Sequence, residues 1–319
     1  MTSYWNNFPG MPGAMEKVSG IIRDSSASRN PIISGGLSEL FNGDGKLLRP
    51  GLLLIAAGFG KVQEKHYKLA AALEMLHMAT LIHDDVIDDS PLRRGQPAVH
   101  TRYGKRDAVL IGDFLLSRCF ILTAEYTSPQ NALNLARIVA VICTMEIEQN
   151  NDRFTNNVSL RNYLRKIMGK SALLFSLACY TGACEADAPK AVCERLRRIG
   201  YNIGIAFQII DDILDYSGNE ELVRKPLGND ITAGLVTLPL ICALPLSGSL
   251  RDIFSRETFS PEEGGIIFNL VREAGGVEAA GKYAETYTTR AIRDIDTLPK
   301  GSHRDMLSVL TRQLLNREK

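Results

Sequence analysis

The sequence predicts an all-α protein: one domain over residues 1–319, folded as a single large helical bundle around a central cavity. Three observations carry this. Apolar residues recur at three- and four-residue steps over long stretches, alternating strand-like patterns are scarce, and Gly and Pro fall mostly between the periodic stretches.

Taken in order, residues 1–13 hold Pro9, Gly10, Pro12 and Gly13 and read as a flexible N-terminal segment. After the break at 43–45, a helix starting near Lys46 puts Lys46 and Arg49 within one turn. The next helix is marked by Leu69, Ala72, Leu73, Leu76, Ala79, Thr80 and His83, runs into Asp84, and ends before Pro91. The same rhythm returns over 132–149, 163–179, 199–214 and 306–315, with breaks at Gly182, 226–228, Pro245, Gly248 and 264–265. No Pro/Ser linker, low-complexity tract or short repeat divides the chain.

With 45% hydrophobic and 23% charged residues, the chain has the composition of a globular protein with a substantial core. A net charge of +1 and the lack of a basic arm exclude nucleic acid as a partner. The six cysteines show no CxxC or other zinc spacing and read as reduced residues of apolar helices. No secretory signal is visible, and the longest apolar stretches, 51–60 and 235–246, are shorter than the roughly 18 residues of a membrane span. The expectation is a cytoplasmic protein without a transmembrane segment.

Two acidic clusters carry the chemistry. Asp84, Asp85 and Asp88 form one, with Arg93 and Arg94 downstream; Asp211, Asp212 and Asp215 form the other, with Lys225 following. In a helix Asp84 stacks over Asp88 and Asp211 over Asp215. Like charges at that spacing destabilise a helix unless cations neutralise them. Hard oxygen ligands suit Mg²⁺, which is bound through one or two carboxylates plus phosphate oxygens, so the basic neighbours point to a phosphorylated ligand. A solvated acidic face would explain one cluster but not two with the same flanks. Past Pro91, Arg93 and Arg94 are placed to fork onto phosphate oxygens. His77 lies two turns before Asp84, and Gln208 three residues before Asp211, each on the same face as its cluster.

These residues and their flanks resemble the trans-isoprenyl diphosphate synthases, the polyprenyl synthetase family. The likeness runs in order through Gly45 to Pro50, Leu81 to Asp88 with Arg93-Arg94-Gly95, Gly112-Asp113, Gly169-Lys170-Ser171, Phe207 to Asp215, Lys225 to Asp230 and Thr237-Leu238-Pro239. It implies the isoprenoid synthase type of bundle, a homodimer, and a transferase that condenses an allylic diphosphate primer with isopentenyl diphosphate. A heteromer with a small subunit is the other assembly that the family admits. Asp84, Asp85, Asp88, Asp211, Asp212 and Asp215 would hold a trio of Mg²⁺ ions on the allylic diphosphate. Arg93, Lys170, Ser171, Gln208 and Lys225 match family contacts to that diphosphate, and Lys46, Arg49, His77 and Arg94 match the pocket for isopentenyl diphosphate. Asp84, Asp88, Arg93, Lys170 and Asp211 are the catalytic set. Two departures weaken contacts: Leu235 stands where a lysine is common, and Asp44-Gly45-Lys46-Leu47 replaces a stretch richer in glycine and basic residues.

The chemistry implied is ionisation of the primer, attack by the isopentenyl double bond and loss of a proton to the departing diphosphate, with charge stabilised electrostatically and water excluded. An isoprene unit is about as long as one helical turn of about 5.4 Å. Ala79 and Thr80, then Leu76, then Leu73 and Ala72 are therefore successive floors of a hydrocarbon tunnel below Asp84. None is aromatic, so the expected product has at least twenty carbons, and about thirty to fifty. A helical phosphohydrolase built on His66, His77, His83 and Asp84 leaves the second cluster unexplained. A non-catalytic subunit or a terpene cyclase would lack aspartates that this chain keeps.

Overall fold

The structure, a computed structural model, describes residues 3–42, 45–93, 95–156, 158–217, 227–256 and 258–315. It is all-α, as the periodicity predicts; the one pair of strands among the described residues is a two-residue ribbon. Contacts group the chain into two compact units, Met1–Leu135 with Ala178–Glu194, and Ala136–Leu177 with Arg195–Lys319.

The first unit contains α1 (Met11–Ser25), α2 (Pro31–Asn42), α3 (Leu48–Ala57), α4 (Glu64–Ile87), α5 (Val99–Tyr103) and α6 (Lys105–Tyr126), with the start of α7 (Pro129–Asn151). Helix α4 packs against α6, α3 and α1. Its residues Leu69 through Leu76, with Met78, Ala79 and Ile82, are buried without a polar face, the pattern of a helix covered on all sides. It starts on a reciprocal cap in which the Gln63 N–H donates to His66 Nδ1 at 2.8 Å. It stops at Ile87, before Pro91, with Asp89 in the left-handed region at φ 50°. Strands β1 (Leu92–Arg93) and β2 (Gln96–Pro97) then pair antiparallel.

The N-terminus corrects the expectation of a flexible segment over 1–13. Trp5 and Phe8 are fully buried, Met11 nearly so, and α1 already begins at Met11. Gly10, at φ 78°, turns the chain into α1, Pro12 and Gly13 lie in its first turn, and the aromatic residues ahead of Pro9 anchor the chain.

The second unit contains α8 (Leu160–Ile167), a π-helical turn (Met168–Ala172), the start of α9 (Leu173–Glu185), most of α10 (Lys190–Ser217), and α11 (Asn229–Thr232), α12 (Leu238–Ala243), α13 (Gly248–Phe254), α14 (Gly264–Glu273), α15 (Gly276–Asp296) and α16 (Ser302–Leu315). Tyr216, Ile231, Leu240, Leu250, Phe259, Ile267 and Val271 form one of its apolar cores. Helix α10 lies close to the π turn and α9 because two of its residues are glycines one turn apart. A Cβ on Gly204 would sit 2.5 Å from the Ala172 Cα, and one on Gly200 2.4 Å from the Phe175 carbonyl oxygen. The run Leu160–Glu185 is the one described stretch long and apolar enough to cross a membrane, but 67% of its apolar window is buried in the protein, as in a core helix.

Among the described residues no disulfide forms. Cys119, Cys179 and Cys193 are buried as expected, while Cys143 is exposed.

Candidate active site

The predicted site residues fall into two groups, one in each unit. In the first unit both ends of the site are built on helix boundaries. Lys46 is exposed and Arg49 half-buried where α3 begins, after Leu47 at φ 49°. His77 and Asp84 are half-buried on α4, Asp88 is exposed at its C-cap, and Asp85 is buried. One position along a helix turns a side chain by about 100°, which separates Asp85 from its neighbours. Its carboxylate instead receives the Arg93 guanidinium, Nε lying 3.0 Å from each oxygen, with Nη2 also bound to Oδ1. Two residues assigned to different partners, a metal and a diphosphate, are thus joined to each other.

The Gly112-Asp113 pair also acquires a physical reason. A Cβ on Gly112 would lie 2.3 Å from His83 Nε2, so glycine lets α6 pass against α4 beside the first cluster. The same His83 nitrogen lies 3.2 Å from the Val109 carbonyl and 3.4 Å from Asp113 Oδ1.

In the second unit a hydrogen-bonded chain links four side chains. Ser171 Oγ donates to Gln208 Oε1 at 2.6 Å, Gln208 Nε2 donates to Asp212 Oδ1 at 3.0 Å, and the Tyr163 hydroxyl donates to Asp212 Oδ2 at 2.6 Å. Lys170 sits in the π turn beside Ser171; such turns recur at functional sites. Burial pushes the Asp212 carboxyl up to about 8, with Asp230 and Asp211 adding to the rise against the hydrogen bonds from Tyr163 and Gln208. Burial, then the Asp212 charge, holds the Tyr163 hydroxyl protonated and therefore a donor. Asp215 accepts from the backbone N–H groups of Asn229 and Asp230, both at 3.2 Å, and so caps α11. Asp211 is exposed.

Both acidic clusters lie on long helices, and the first closes the C-terminal end of α4. A helix C-terminus already carries partial negative charge, so acidic side chains there are doubly unfavourable until a cation arrives. The donor set, carboxylate oxygen throughout, suits a hard divalent ion. Within the described residues no three acidic, His or Cys side chains form a cluster that could hold a metal ion. Arg94 and Lys225 lie outside the described residues.

A family model, polyprenyl synthetase, matches residues 30–264. The chain belongs to the polyprenyl synthetase family. A heptaprenyl diphosphate synthase component 2 of Geobacillus stearothermophilus is 37% identical over 84% of this chain and 85% of its own. An all-trans-nonaprenyl-diphosphate synthase of Rhodobacter capsulatus is 35% identical over 93% and 92%. Among solved structures, a polyprenyl synthase of Caulobacter crescentus, complexed with calcium and isoprenyl diphosphate, shares the fold with a TM-score of 0.89 and 35% identity over 96% and 95%. The chain is a trans-prenyltransferase of the long-chain kind.

Within this family member, sequence reading missed Tyr163, Gly200 and Gly204. Tyr163 gives no signal, because its partner is 49 residues away. The glycines did give one, at positions i and i+4 of a helix. His66, weighed as part of a phosphohydrolase, is buried and caps α4 instead.

Proposed function

We propose that the chain lengthens an allylic diphosphate primer by successive condensation with isopentenyl diphosphate to an all-trans polyprenyl diphosphate of about thirty to fifty carbons. The family uses divalent metal, and we assign Mg²⁺ here. The observation that carries the reading is the pair of aspartate clusters on long helices, each with basic or amide side chains beside it and one of them on a helix walled by apolar residues.

Asp84, Asp88 and Asp211 are the direct metal ligands in this reading. Asp85, Asp212 and Asp215 act through the groups that they hold: the Arg93 guanidinium, the Gln208 amide and the α11 turn. Bound metal supplies charge neutralisation of the leaving diphosphate. Arg93, Lys170, Ser171, Gln208 and Lys225 bind the same diphosphate, while Lys46, Arg49, His77 and Arg94 bind that of isopentenyl diphosphate. In this reading the apolar side chains along α4 keep water from the allylic cation.

Purified chain given Mg²⁺, isopentenyl diphosphate and a radiolabelled allylic primer should yield extended prenyl diphosphates, and none with a chelator. Release of phosphate without carbon–carbon bond formation would overturn the reading. We propose a cytoplasmic homodimer. The word "component" in the name of the Geobacillus relative favours one other arrangement, a heteromer, and activity that returns only with a second polypeptide would establish it.

A further inference from the structure

The N-terminal aromatic residues are packed onto the segment that presents Lys46. Trp5 is fully buried, edge-on to Tyr4 at 5.3 Å and to Phe8 at 5.1 Å between ring centres. Its indole lies where a side chain at position 51 would be: a Cβ on Gly51 would come within 2.1 Å of the ring. Its Nε1–H donates to the Lys46 carbonyl oxygen at 2.7 Å. The next residue, Leu47, holds the left-handed conformation that side chains other than glycine rarely adopt, so something must fix the backbone there. The Lys46 ammonium in turn lies 5.3 Å from the centre of the Tyr4 ring, within cation–π range.

We propose that Tyr4 and Trp5 are positioning residues for isopentenyl diphosphate: Trp5 pins the strained 46–47 backbone at the start of α3, and Tyr4 holds the Lys46 side chain over it. This rests on the assignment of Lys46 and Arg49 to that diphosphate. A tether on the basic pair should matter for one substrate and not the other.

Trp5→Phe keeps a ring in the slot but removes the donor. Calorimetric titration of the full chain with isopentenyl diphosphate alone should show Kd about two- to tenfold higher in this variant, the value of one hydrogen bond. Tyr4→Leu should weaken binding in the same direction. The KM for the allylic primer should stay within error of wild type, with melting temperatures showing that the variants fold. Trp5 is the chain's one tryptophan, so isopentenyl diphosphate should also change the wild-type emission saturably at the same Kd. If Lys46→Gln and Arg49→Gln leave the Kd unchanged, the site assignment fails, and this inference with it. If they weaken binding while Trp5→Phe does not, or if Trp5→Phe raises both substrates' KM equally, only the inference is overturned. Emission unmoved at saturating ligand overturns it as well.

Discussion

Asp212 shows how neighbouring carboxylates in one motif take different roles. It is buried and receives hydrogen bonds from Tyr163 and Gln208, whereas Asp211, one residue earlier, is exposed. A buried carboxylate that loses a donor bears the desolvation cost of the vacant lone pair, about 1–3 kcal/mol. Tyr163→Phe should therefore lower the unfolding free energy by about that amount. A double-mutant cycle with Asp212→Asn should return a coupling of about 0.5–3 kcal/mol, measured by denaturant unfolding. Strictly additive losses would mean that the 2.6 Å contact carries no energy. At this scale the sequence was legible where partners lie within a helical turn or two, as for Gln208 with Asp212. It was silent where the partner comes from another helix, as for Tyr163, and it did not distinguish Asp85, bound to Arg93, from its neighbours.

Helices are joined by a few buried polar anchors, and Glu185 is the clearest. At the end of α9 it accepts from the Thr127 hydroxyl at 2.5 Å, the Ser128 N–H at 3.1 Å and the Asn131 amide at 2.6 Å, and pairs with Lys65 at 3.1 Å. It thereby supplies acceptors for the N-terminus of α7. Burial alone would raise its pKa, but the bonds from Thr127, Asn131, Ser128 and Lys65 outweigh that and hold it at about 2, against an ordinary 4.5. A carboxylate depressed in the folded state stabilises above its unfolded pKa and loses that contribution as the pH falls towards its folded pKa, here from about 4.5 to about 2. Glu185→Gln should therefore melt below wild type at neutral pH, by up to about 3 kcal/mol of stability, and the two melting curves should converge as the pH approaches 2. Glycine makes the complementary kind of joint. Gly204→Ala would force α10 away from the Ala172 backbone, costing about 1–3 kcal/mol and displacing the turn that holds Lys170 and Ser171. Its kcat should fall while the KM for isopentenyl diphosphate holds. The element map was largely legible, since every long periodic stretch became a helix and Pro91 marked the end of α4. The π turn was not, because 163–179 keeps its apolar rhythm through it, and the N-terminus was misjudged because Pro and Gly were weighed above Trp5 and Phe8.

For the whole molecule, the exposed apolar residues Leu110, Phe120 and Ile121 on α6 are what a homodimer would cover, and light scattering should give twice the mass of one chain. The product should be set by α4. Below Asp84, Ala79, Leu76, Leu73 and Ala72 are buried and Thr80 is half-buried, its hydroxyl bonded back to the His77 carbonyl at 2.8 Å. Each turn of about 5.4 Å accommodates about one isoprene unit, so a bulky ring should stop the chain at the level where it stands. Ala79→Phe should give the shortest products and Leu76→Phe intermediate ones, with wild type the longest. Overpacking costs about 1–3 kcal/mol, so each variant needs a melting curve to show that it folds. Mass spectrometry of the dephosphorylated products then decides. A graded series places the growing chain along α4 towards its N-terminus, whereas an unchanged length distribution in folded, active Ala79→Phe means that the hydrocarbon runs elsewhere.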